Sequence, residues 1–155
     1  IHEKNKIKSV YTGKGGEFLV CSELLFRGYN ASVMSVDTGV DIVATKDNKL
    51  FGVQVKTSTL SKNKTYIFDI RKTSFQNAAA GNIYYVFVIH DDRLISSTFI
   101  VLSYHHVDQF ISENAISTII NGERYRLTVK VRDGKFYTVS KNIDLSYFVN
   151  RWNIV

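Results

Sequence analysis

The stretch "DIVATKDNKLFGVQVKTS", residues 41–58, holds two apolar runs interrupted by a carboxylate, an amide and an amine: Asp41, Gln54 and Lys56. Carboxylate and amide oxygens are hard ligands that suit Mg²⁺, an ion that keeps several waters and uses few protein groups. A lysine beside such an ion can hold or activate a water and neutralise charge on a phosphate oxygen. Three polar residues where valine would pack better therefore point to hydrolytic chemistry at a phosphate.

Elements that could position these groups follow from periodicity. "VDIVAT" and "LFGVQVKTS" read as two strands joined by the polar turn "KDNK". Side chains alternate along a strand, so Val53 and Val55 share one face while Gln54 and Lys56 share the other. Asp41 opens the neighbouring strand, and the hairpin brings all three to one edge of the sheet. Asp37, in the preceding "DTGVD" turn, competes with Asp41 for the metal role; Asp41 is preferred because it opens the strand.

Before this hairpin, "GGEFLVCSELLFRG" has helical spacing, with Phe18, Cys21 and Leu25 at i, i+3 and i+7 and Gly28 as the stop. Glu17 falls in its expected first turn, where the helix dipole favours a carboxylate. It shares a face with Val20, Cys21 and Leu24, so it is drawn inward and needs a partner, which the metal cluster would supply. "GKGG" does not satisfy the phosphate-loop pattern. Its glycines are read as letting the helix start tightly or letting phosphate approach the helix end.

Downstream, "YNASVMSV" precedes the hairpin as a strand and "TYIFDI" follows it as a fourth, making an antiparallel meander. "KTSFQNAAAG" reads as a short helix and "IYYVFVIH" as a fully buried central strand. "STFIVLS" is another strand, "YHHVDQFISEN" a helix, and Asp133-Gly134 the turn of a late hairpin. Asp144 is an N-cap for a last helix in "DLSYFVNRW". This order predicts an α/β sandwich around a mixed sheet.

Glu on the first helix, then Asp, then [Glu/Gln]-x-Lys on the next strand resembles the PD-(D/E)XK nuclease superfamily. "DTGVDIVA" followed by "VQVKT" is similar to Mrr-like restriction nucleases and to endonucleases encoded by some group I introns. "GKGGEFLVCSELLFRGY" is similar to their opening helix and to that of archaeal Holliday-junction resolvases. The resemblance covers roughly residues 13 to 90. It implies a restriction-endonuclease-like α/β sandwich, a central mixed sheet flanked by helices, as a single domain over 1–155. Within it, the core would run over about 13–113 and a C-terminal hairpin plus helix over 121–155.

The resemblance also implies roles. Asp41 would be the central metal ligand, Gln54 would lend its amide oxygen where an acid is commoner, and Lys56 would position the attacking water. Glu17 would complete the site directly or through water. The cofactor would be Mg²⁺, with Mn²⁺ as a substitute, and the reaction hydrolysis of a DNA phosphodiester, duplex or branched. The alternative is a catalytically inactive nucleic-acid-binding module on the same fold, because Gln54 lacks a negative charge. Self-association as a homodimer or homotetramer is expected of this class.

The formal net charge of +6 over 155 residues makes polyanions plausible partners. Lys14, Lys62, Lys64, Arg71 and Lys72 would contact phosphates without reading sequence, or else form a soluble loop. Arg124, Arg126, Lys130 and Arg132 alternate along "RYRLTVKVR", as a second DNA surface or the wet side of a sheet. Tyr84, Tyr85, Phe87 and Phe99 belong to the core. A single cysteine, Cys21, excludes an internal disulfide and points to a reducing cytoplasm. Four histidines show no zinc spacing. No run reaches the roughly 18 apolar residues of a membrane span, and the polar start "IHEKNKIKS" predicts no signal peptide.

Overall fold

The computed structural model of the chain describes residues 2–36, 38–92 and 96–154. Its first helix, α1 (His2–Phe26), begins well before the expected start and runs through Gly13, Gly15 and Gly16. The preceding residues include Glu3, Lys4, Lys6 and Lys8, good helix formers that carry the helix upstream of the glycines. Gly28 stops it as expected: at φ +84°, it donates to Leu25 O while Tyr29 N–H donates to Leu24 O. That is a Schellman ending.

Strands β1 (Asn30–Val33), β2 (Ile42–Lys46) and β3 (Lys49–Ser58) follow as an antiparallel meander. The β2–β3 turn places Asp47 and Asn48 at φ 51° and 61°, the left-handed pair that matches strand twist. β5 (Ile83–Ile89) pairs parallel with β3, and β6 (Thr98–Ser103) pairs antiparallel with β5. The central sheet is therefore mixed, in the order β1-β2-β3-β5-β6.

The strand between them, β4 (Tyr66–Arg71), does not extend the meander. It pairs with β8 (Arg124–Arg132) in a second sheet that also holds β7 (Ser117–Ile119) and β9 (Lys135–Thr138). Alternation explains the departure: Tyr66, Phe68 and Ile70 are buried, but Asp69 and Arg71 on the other face are polar. A strand with one polar face cannot sit between two covered faces, whereas the doubly apolar β5 can. β7 had no signal beyond three residues of "STI".

Two cores result. One face of the central sheet packs on α1 through Val20, Leu24, Ile42, Val53, Val55 and Val88. Cys21 is buried there as a packing residue, and burial pushes its thiol up. The other face meets the second sheet, the short helix α2 (Lys72–Ala78) and α3 (Tyr104–Ser112) across Phe68, Ile70, Tyr85, Phe87, Leu102 and Leu127. The late hairpin is thus part of this core.

The expected last helix is a single 3₁₀ turn, Ser146–Phe148. Its N-cap is Leu145 and not Asp144, whose Oδ1 accepts from Ser146 N–H at 2.8 Å in a turn just before it. Val149 then bridges Ile100 and Asn150 N–H donates to Phe99 O, so the sheet edge pulls the chain out of helix. Among the described residues no helix is long and apolar enough to cross a membrane.

Candidate active site

The β2–β3 ladder ends at Ile42↔Val53. One further step would set Asp41 opposite Gln54, but there the two strands part. Asp41 N–H donates to Val53 O at 3.0 Å, and Met34 N–H donates to Asp41 O at 2.8 Å. From this point β3 is bonded on its other side only, to β5. In a parallel ladder, alternate residues direct both backbone groups to the same neighbour. Gly52 and Ser58 bond toward β5 and its continuation, through Asn82 O and His90 N. Val55 therefore faces the fork.

Its N–H has lost a strand partner, and the Asp41 carboxylate replaces it: Asp41 Oδ2 accepts from Val55 N–H at 2.7 Å. Asp41 is 6% exposed and Gln54 is 6% exposed. Among the described residues the Gln54 side chain makes no hydrogen bond, which is unusual for an amide so deeply placed. Lys56 is half-buried one alternation further along. Asp41 lies at the fork, with Gln54 and Lys56 on the strand just beyond it, inside the sheet and not at a sheet edge as the hairpin alone suggested.

Glu17 approaches β3 from the other face. It sits mid-helix, so the dipole argument for it fails. Its half-buried carboxylate is held by Lys14 at 2.6 Å, a partner from its own helix. Gly16 explains how the helix comes so near. A Cβ built there would fall 1.8 Å from Thr57 Oγ1 and 3.0 Å from Thr57 Cβ. The "GKGG" glycines thus neither start a helix nor cradle phosphate; Gly16 admits the strand. Thr57 Oγ1, buried by this contact, has no hydrogen-bond partner. It is the residue after Lys56, and only its place in "VQVKT" marked it in the sequence.

The basic residues separate. Lys62 and Lys64 lie exposed in the loop between β3 and β4. Arg71 and Lys72 lie at the far end of β4, roughly 17 Å away at ~3.3 Å per residue. They line a cleft of 480 Å³ with Thr73, Gln76, Glu123 and Arg124. Lys14 is spent on Glu17. Asp37 lies outside the described residues.

No group of three His, Cys, Asp or Glu side chains suited to a metal occurs among the described residues. A cation at the fork would be held by Asp41, neutral oxygens and water. The donor set fits Mg²⁺ on one observation: the Gln54 amide makes no hydrogen bond among the described residues and is not sealed from solvent, at the same fork as the buried Asp41 carboxylate.

No protein-family model matches the chain, and no curated protein matches it by sequence. Among solved structures, a bacterial homing endonuclease superposes with TM-score 0.55 at 19% identity, over 81% of this chain and 80% of the other. Hjc, a Holliday junction resolvase from Archaeoglobus fulgidus, aligns with TM-score 0.47 at 12% identity, over 74% and 82%. A nuclease from a fusselovirus aligns with TM-score 0.46 at 14% identity, over 76% and 82%. At these identities the likeness is one of fold, and of these three it is carried by the homing endonuclease. The chain has a restriction-endonuclease-like α/β fold, built on a central mixed sheet.

Proposed function

We propose that the chain is a metal-dependent endonuclease that hydrolyses DNA phosphodiester bonds at the β2–β3 fork. The observation that carries this reading is Gln54, a residue 6% exposed whose amide makes no hydrogen bond among the described residues and keeps access to solvent, on the strand that parts from Asp41 at the fork. A packing role would leave such an amide bonded or replace it with an apolar side chain. That the homing endonuclease shares the fold supports the same reading.

Asp41 and Gln54 would hold the ion, with the Val55 carbonyl facing the same opening. Mg²⁺, when bound there, polarises a phosphoryl oxygen and lowers the pKa of its water. Asp41 fixes its own carboxylate through the Val55 N–H, which orients the remaining donor capacity without a flexible arm. Lys56 holds the attacking water and offsets charge on the phosphate as it is attacked. Glu17 contributes from the α1 side, directly or through water.

The amide favours one rival, a module that binds nucleic acid without cutting it. A cleavage screen separates the two: duplex, branched and single-stranded DNA, each with Mg²⁺, with Mn²⁺ and without metal. Cutting of any of these with metal is the expected result. Binding without cutting under every condition assigns the chain to the rival class. The same screen should include Gln54→Glu. The added charge is expected to lower the Mg²⁺ concentration for half-maximal cleavage by about tenfold, since ligand charge tunes affinity. An unchanged metal dependence would remove Gln54 from the site.

A further inference from the structure

The second sheet carries a cluster of cationic side chains at one end of β4 and β8. Arg71 and Arg124 are direct cross-strand partners in the β4–β8 ladder. Their neighbours Ile70 and Tyr125 are core residues, so both arginines lie on the outward face of the second sheet. Like charges placed opposite each other repel. On this face the nearby acid is Asp69, whose two oxygens are engaged by Arg126 at 2.7 and 2.9 Å. Arg124 reaches Asp69 only at 3.9 Å.

Lys72 continues from Arg71, and its N–H donates to Glu123 O at 2.9 Å, which closes the floor between the two strand ends. Arg71, Lys72 and Arg124 thus line the 480 Å³ cleft together with the neutral donors Thr73 and Gln76. Glu123 also lines it, and makes no ion pair among the described residues. With Asp69 shared between Arg126 and Arg124, Arg71 and Lys72 face only Glu123 across the cleft, an arrangement that a bound phosphate would relax.

The surroundings indicate which phosphate. Beyond the Asp69-bound Arg126, Lys130 and Arg132 continue the outward row along β8, which extends roughly 26 Å at ~3.3 Å per residue. Small anions would occupy the cleft and leave this row unused. A backbone with one charge per nucleotide can follow it.

We propose that the Arg71–Lys72–Arg124 cleft is a phosphate subsite that anchors the nucleic-acid backbone away from the reacting bond, with β8 as its track. The proposal rests on the nucleic-acid part of the reading above and is independent of the hydrolytic part.

The test is equilibrium binding of a fluorescein-labelled DNA duplex of about 25 base pairs, without divalent metal, across a salt series. Arg71→Gln with Arg124→Gln should raise Kd at least about tenfold and reduce the salt slope by about 1.8, the loss of two phosphate contacts. Lys4→Gln with Lys6→Gln removes equal charge from exposed positions on α1, away from the second sheet, and should leave Kd within about twofold. Equal weakening by both pairs, or an unchanged Kd for the arginine pair, overturns the subsite. Arg124→Gln alone, with thermal unfolding as the fold check, replaces the double variant if that fails to fold. Weakened binding in a protein that cuts nothing upholds the subsite and sinks the hydrolytic reading instead.

Discussion

Lys56→Ala is expected to lower the rate of DNA cleavage by about 10³-fold or more while leaving the fold and most of the DNA binding intact. Loss of a single positioned electrostatic donor at a reacting centre typically costs 10²–10³-fold, and Lys56 is read here as both water holder and charge partner. It is half-buried and makes no ion pair among the described residues, so its truncation removes no structural bond. Asp41 demands a subtler substitution. Its carboxylate closes the Val55 N–H, and alanine would leave that buried donor unsatisfied at a cost of about 1–3 kcal/mol. Asp41→Asn keeps an acceptor in place and removes only the charge. It should match Lys56→Ala in lost cleavage, with a thermal midpoint near that of the parent protein. Rates for Lys56→Ala within about threefold of the parent, measured under single turnover, would end the assignment of the fork as an active site.

The largest stability effect is expected at Gly16. In the interior of a helix, glycine-to-alanine normally stabilises by about 1 kcal/mol. Here the new Cβ would overlap Thr57 Oγ1, at 1.8 Å, and press on Thr57 Cβ at 3.0 Å. Overpacking of this kind typically costs about 1–3 kcal/mol. Gly16→Ala should therefore destabilise, reversing the usual sign. Thr57→Ala removes the overlapping oxygen, and since Oγ1 has no hydrogen-bond partner its loss leaves no orphan on the helix side. Combining the two should recover much of the loss, giving a coupling of about 1 kcal/mol or more in a denaturant-unfolding cycle. Simple additivity, or stabilisation by Gly16→Ala alone, would show that α1 does not meet β3 in this way.

The contrast between these residues shows what could be read in advance. Strand period and turn chemistry exposed the β2–β3 hairpin, the doubly apolar β5 and the late hairpin at Asp133-Gly134, whose φ values are 52° and 73°. Each is decided by a few consecutive side chains. The placement of β4 is decided by competition, because β3 pairs with whichever strand tolerates burial on both faces, and that strand comes 17 residues later than Tyr66. The upstream half of α1 was hidden by glycines, which usually punctuate a helix and here admit a strand. At the fork, residue types suggested Asp41, Gln54 and Lys56. Sequence could not show that the Asp41 carboxylate would bond a main-chain N–H, since that depends on where two strands separate. The ion pair of Glu17 with Lys14 was hidden for a related reason: Lys14 becomes its neighbour only if the helix already runs through "GKGG".

The bond from Val55 N–H to Asp41 ties a backbone resonance to the charge on one side chain. An amide proton held at 2.7 Å by a carboxylate lies well downfield and exchanges slowly with solvent. Drawing electron density from Asp41 toward a cation will shift that resonance, whereas the amides of β6 on the far side of β5 will stay still. Val55 is thus a native spectroscopic probe of occupancy at the fork, readable by ¹⁵N titration with Mg²⁺ in the absence of DNA and of any turnover.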